Sequence, residues 1–177
     1  HGYLTVGGVM AIACLVSYVT AFWVNGVPLW SVWDSGATQW KAGAPPLEIC
    51  SSAGSCQTLS GERQLRIVRE SHAAWYITLI LCQAVNIFCS KTRLVSIFKH
   101  GVFRNRATLY GLAVSLAVGA IVVFVPGVQD IFSARPPPGL CYIPWFPFGL
   151  WVVAYTEWTK GCARKNPKSW IARHLVW

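Results

Sequence analysis

Charge is what this sequence has little of. Only 12% of its 177 residues are charged, where an ordinary soluble domain carries about a quarter. Acids are scarcest, six against fifteen Lys and Arg. With so few carboxylates, most of them in connecting segments, no plausible acid/base pair is present and hydrolytic chemistry is poorly supported. The sequence also lacks a Gly-x-x-x-x-Gly-Lys-Ser/Thr phosphate loop, a Gly-x-Ser-x-Gly elbow and a His-Glu-x-x-His motif. No His/Cys spacing resembles a zinc site, so no metal cluster is expected. There is no internal repeat and no low-complexity tract.

What is present in quantity is apolar surface, 54% of residues, gathered into long blocks without amphipathic spacing. Crossing the ~30 Å hydrocarbon core takes about 20 apolar residues in a helix. Uncharged windows of that size cover 4–24, 73–90 and 108–126, and a fourth over 140–158 carries only Glu157 at its end. The expectation is an all-α polytopic membrane protein: residues 1–177 as one four-transmembrane-helix bundle. Lys91, Arg93, Lys99, Arg104 and Arg106 follow the second block, and Lys160, Arg164, Lys165, Lys168 and Arg173 follow the fourth. The positive-inside rule makes both segments cytoplasmic and, with them, both termini. The connection over 25–72 mixes signs, and the third has only Asp130 and Arg135, so both belong outside or in a lumen. Nucleic-acid binding would need the basic residues interleaved with aromatics on a soluble face, so no nucleic acid is expected.

The long outer connection contains Trp30, Trp33 and Trp40, as in an interfacial aromatic belt. Its end, Arg63–Ser71, has helical spacing and would extend the second span outward. Arg135-Pro136-Pro137-Pro138-Gly139 cannot continue a helix and separates the third span from the fourth. Of seven cysteines, Cys14, Cys82 and Cys89 lie in apolar blocks and act as small hydrophobes. Cys50 and Cys56 lie in the outer connection, where a short disulfide and two free thiols are equally open. The chain starts at His1 without a basic leader or small-residue cleavage site and reads as a cut chain.

Polar groups inside the spans are the remaining signal, because each needs a partner where water is absent. Gln83 and Asn86, at i and i+3, share one face of the second span. Their amide oxygens are uncharged hard donors able to complete the shell of a desolvated cation; the commoner use is an interhelical hydrogen bond worth ~0.6 kcal/mol. Ser17, Tyr18, Thr20 and Ser115 are weaker candidates, since such hydroxyls usually bond to nearby backbone. Glu157 beside Lys160 reads as a surface ion pair or a contact with the helix-flanking loop. Ser96, three positions after Arg93 in the basic loop, is a candidate phosphorylation site.

Several stretches together bring a family into view: Gln83 followed by Lys91-Thr92-Arg93, Ser96-Ile97-Phe98 and Gly101; Tyr110-Gly111-Leu112 and Val125-Pro126-Gly127; Phe146-Pro147-Phe148 with Tyr155, Glu157, Lys160, Arg164, Pro167 and Trp170; and Ser17-Tyr18 with Asn25-Gly26. At these positions the chain resembles the seventh to tenth membrane helices of P-type ATPases of the sodium/potassium-pump branch. The long outer connection matches poorly. The resemblance implies the C-terminal membrane part of an ATP-driven pump for monovalent cations in the plasma membrane. Its partners would be the lipid bilayer and the pump's remaining helices and cytoplasmic domains. It implies no cofactor in this chain; ATP and Mg2+ belong to the full-length pump, with an Asp-Lys-Thr-Gly phosphorylation motif before His1. A β-type subunit stays open, because the outer sequence that binds it is not recognisable.

The departures concern the ion path. The sodium/potassium pump has an aspartate at the position of Asn86 and two glutamates at Val114-Ser115, groups tied to an extra sodium ion. Gln83 is thus a retained feature and Asn86 a neutralised one. The pump's paired C-terminal tyrosines are Val176-Trp177 here. The rival reading is a self-standing four-span junction or scaffold protein of claudin-like topology, suggested by Trp30, Cys50 and Cys56, or a small channel subunit. Nothing in the claudin family accounts for Lys91-Thr92-Arg93 or Phe146-Pro147-Phe148, and a channel subunit would need oligomers to enclose a pore.

Overall fold

A computed structural model describes residues 2–34, 38–50, 56–91 and 106–170. Ser96, most of the basic loop around it and Val176-Trp177 lie outside the described residues. Helix α1 spans Gly2–Val24 and carries no charge. It ends at Asn25-Gly26, where Gly26 takes φ +77, the left-handed conformation glycine adopts without a Cβ clash. A short helix, α2, covers Leu29–Asp34.

The connection between α1 and the next long helix then forms an antiparallel hairpin, β1 Leu47–Cys50 against β2 Cys56–Leu59, so the all-helical expectation is corrected to a mostly helical fold with one small sheet. The physical reason is a small core of its own. Ile49 and Leu59 are buried together with Phe22, Val27 and Ile67, giving a short strand pair an apolar face to pack on. Cys50 and Cys56 are cross-strand partners, joined by a disulfide with sulfurs 2.05 Å apart.

Helix α3 runs unbroken over Gly61–Ser90, taking in Arg63–Ser71. Ser60 caps its start by accepting from the Arg63 N–H, at 3.4 Å. Gly61 is required there: a Cβ would strike the Ala44 carbonyl. Helix α4 covers Arg106–Phe124, and after the Pro126-Gly127 turn a single turn, α5, covers Val128–Ile131. A 3-10 turn over Gly139–Tyr142 precedes α6, Trp145–Lys165.

Among the described residues, three helical segments are long and apolar enough to cross a membrane: Thr5–Val24, Gly61–Ser90 and Arg106–Phe124. The expected fourth block over 140–158 is divided differently. Pro138 and Pro144 confine its first residues to the 3-10 turn, and the helix begins at Trp145 and continues to Lys165, through Glu157, Lys160 and Arg164. Helix α3 is the centre, packed against α1, α4 and α6. Ala73 meets Val122 and Val123, and a Cβ on Gly119 would come within 2.7 Å of Ile80. These pairings run in opposite sequence directions, so α3 and α4 are antiparallel.

Candidate functional site

The two amides singled out from sequence sit near the C-terminal end of α3 in different surroundings. Gln83 is exposed and makes no hydrogen bond among the described residues, whereas Asn86 is half-buried and accepts from Ser90 Oγ at 3.3 Å. Val114 and Ser115 on α4 are exposed. From the Ile80–Gly119 crossing, Ser115 lies one turn (about 6 Å) and Asn86 nearly two turns (about 9 Å) towards the same end of the bundle, at 1.5 Å per residue. The structure thus keeps the departed positions on one level without joining them by a described bond.

The Glu157–Lys160 pair differs from its expected surface setting. The Lys160 side chain is 4% exposed and Glu157 19%, with Nζ 3.9 Å from Oε1. The closer contact is Lys160 Nζ donating to the Cys89 carbonyl at 2.7 Å. Carbonyls in a helix's last turn have no intrahelical partner, and a cation there also meets the negative end of the helix dipole. Lys160 therefore closes the end of α3 from a neighbouring helix. Sequence reasoning missed this, yet a signal existed: Lys160 continues the buried stripe of Gly149 and Val152 on α6.

Among the weaker candidates, Ser17 has a structural position at the centre. Ser17 and Thr78 are fully buried; Thr78 Oγ1 donates to Ser17 Oγ at 2.8 Å, and the Ser17 hydroxyl reaches the carbonyls of Cys141 at 3.0 Å and Ala74 at 3.2 Å. One proton serves two acceptors, tying α1, α3 and the 3-10 turn together. Thr20 bonds back to the Val16 carbonyl at 2.7 Å, and Tyr18 packs against Phe22 with ring centroids 5.3 Å apart.

At the other end of α3 lies a buried carboxylate that sequence reading left unassigned. Glu70 is 3% exposed and accepts from Arg66 Nε and Asn25 Nδ2, both at 3.0 Å, while Arg63 Nη2 donates to Asn25 Oδ1 at 2.8 Å. Asn25 thereby anchors the end of α1 to α3. A charge this buried needs compensation, and the guanidinium supplies it. No group of three or more His, Cys, Asp or Glu suited to a metal ion occurs among the described residues. Together these contacts fix helix positions and present polar oxygens; they assemble no nucleophile with a base.

Residues 2–162 match the family model described as cation transporting ATPase, C-terminus. Potassium-transporting ATPase alpha chain 1 of Xenopus laevis is 24% identical over 183 residues, covering 100% of this chain and 17% of that protein. The sodium/potassium-transporting ATPase alpha subunit of Hydra vulgaris is 27% identical over 129 residues, covering 73% of this chain and 12% of that one. That of Drosophila melanogaster is 26% identical over 146 residues, with 82% and 13% covered. The chain spans only 12 to 17% of the length of these relatives. With apolar helices long enough to be integral to a membrane and a family match across nearly its whole length, the chain belongs to the cation-transporting ATPase C-terminus family, the C-terminal membrane domain of P-type cation pumps.

Proposed function

We propose that this chain supplies the last four membrane helices of an ATP-driven pump for monovalent cations, of the sodium/potassium type or related, in the plasma membrane. The observation that carries this reading is the family match over residues 2–162, which takes in α1, α3, α4 and most of α6. Helix α6 is the fourth span on this reading, with Lys160, Arg164 and Lys165 at its cytoplasmic end and both termini on the cytoplasmic side. The chain braces the transport helices and does not hydrolyse ATP by itself. On this reading ATP and Mg2+ belong to the phosphorylation and nucleotide-binding domains of the full-length pump. Those domains, the remaining helices and the lipid bilayer are its partners; a β-type subunit would meet the outer connection.

Gln83 and Asn86 are the cation-proximal residues in this proposal. An exposed amide at hydrocarbon depth needs a polar neighbour, and Gln83 would find one among helices outside this chain. With no carboxylate at Asn86 or at Val114-Ser115, this wall of the ion path offers oxygen dipoles without charge. In the full-length pump, Asn86→Asp should change the sodium dependence of ATP hydrolysis by several-fold and its potassium dependence less. Unchanged dependence on both ions would remove Asn86 from the ion path, and hydrolysis stimulated by neither ion in the unaltered protein would overturn the pump reading.

A further inference from the structure

A cleft of about 770 Å³ opens beside the N-terminal half of α3, lined by Glu62, Leu65, Arg66, Arg69, Gln129, Arg135 and Pro136. Three guanidiniums from two separate segments converge on it. The backbone N–H of Arg135 donates to the Arg69 carbonyl at 3.1 Å, which fixes the proline-rich connection against α3 and holds both arginines at one level. The lining has three cations to one acid, Glu62. Behind it, Asp130 serves two guanidiniums, Arg69 at 3.3 Å and Arg135 at 3.1 Å, and Glu70 accepts from Arg66.

Donors remain unused. Arg66 employs only Nε and Arg69 only Nη1 among the described residues. Arg69 Nε is buried without a hydrogen-bond partner, whereas buried N–H groups are normally paired. Guanidinium forks suit the oxygens of a phosphate in particular.

Depth identifies the source of that phosphate. The uncharged part of α3 starts at Ala73. Arg69 lies about 6 Å and Arg66 about 10 Å beyond it at 1.5 Å per residue. The headgroup zone on each side of the hydrocarbon core is about 5 to 8 Å thick. Arg69 is therefore at headgroup level, and Arg66 lies one turn outside it, within a side chain's length. Close in sequence to the cleft residue Gln129, Ile131 is 79% exposed and Phe132 59%, and Phe124 at the end of α4 is 55% exposed. These provide apolar surface for acyl chains beside a phosphate held by the arginines.

We propose that this cleft is a binding site for the phosphate headgroup of an anionic membrane phospholipid, held by Arg66, Arg69 and Arg135. The inference rests on the chain being integral to a membrane and is independent of which cation the pump carries. It is tested on the full-length protein in nonionic detergent, stripped of co-purifying lipid. Short-chain phosphatidylglycerol and inorganic phosphate are titrated separately, with bound ligand counted by native mass spectrometry. Phosphatidylglycerol should bind the unaltered protein at concentrations where inorganic phosphate does not, and Arg135→Gln should weaken the tightest lipid association tenfold or more. Because losing Arg135 also frees the connection from Gln129 and Asp130, Glu62→Gln is the second variant. Exposed Glu62 repels the phosphate, so its neutralisation should tighten lipid binding several-fold without disturbing the fold. Lipid affinity indifferent to both variants would overturn the site, and inorganic phosphate binding as tightly as the lipid would overturn the lipid as its ligand.

Discussion

At Gln64 a single side-chain amide holds the hairpin connection to α3. Fully buried, it donates through Nε2 to the Pro45 carbonyl at 2.9 Å and the Leu59 carbonyl at 3.1 Å, and its Oε1 accepts from the Trp40 N–H at 3.2 Å. Trp40 has φ 63, unusual for a bulky residue, and its ring meets Phe22 edge-on with centroids 5.1 Å apart. Gln64→Ala takes the amide donor from the Pro45 and Leu59 carbonyls, each costing about 1 to 3 kcal/mol when left unsatisfied. A loss of about 3 kcal/mol is expected, read as faster hydrogen exchange over 38–50 and 56–59 with α4 unchanged. Sequence gave no warning of this role, because one Gln within a mixed-charge stretch looks like any solvated residue. For Gln83 and Asn86, by contrast, the surrounding hydrocarbon made any amide conspicuous, so the candidates were legible while their unequal exposure was not.

Among elements, the decisive contacts join helices through small polar groups. Ser17 and Thr78 link α1 to α3 and, through the Cys141 carbonyl, to the 3-10 turn. Interhelical hydrogen bonds in membranes average about 0.6 kcal/mol, because partners are also available in the unfolded state. A double-mutant cycle of Ser17→Ala and Thr78→Val should therefore return a coupling near 0.6 kcal/mol in reversible unfolding from mixed micelles. A coupling of zero would leave the pair as close packing alone. Helix existence was readable from uncharged block length, but boundaries moved where local chemistry overrode hydropathy. Helix α3 extends to Gly61 because Ser60 caps it and the hairpin packs on its first turns. Helix α6 starts at Trp145 because prolines hold the preceding residues in another conformation, and it continues past Glu157 because buried Lys160 has the Cys89 carbonyl to bond.

For the whole molecule, the end that carries the hairpin is a compact unit with its own covalent tie, distinct from the cysteines of the apolar core. Alkylation of the denatured, unreduced protein should modify Cys14, Cys82, Cys89, Cys141 and Cys162 and spare Cys50 and Cys56. Reduction first should bring all seven into reaction and loosen the hairpin, leaving the long helices intact in circular dichroism. Composition and block length alone determined that this is a membrane protein, because hydrocarbon admits so few charges that their absence over about 20 residues is itself a signal. Local motifs such as Lys91-Thr92-Arg93 and Phe146-Pro147-Phe148 carried the resemblance to cation pumps, and the family match over 2–162 bears it out. What tertiary structure decided is which polar groups meet: Lys160 with the end of α3, Gln64 with the hairpin connection, and Arg66, Arg69 and Arg135 around one cleft. Those pairings join residues far apart in sequence, and packing geometry, which no local pattern encodes, brings them within bonding distance.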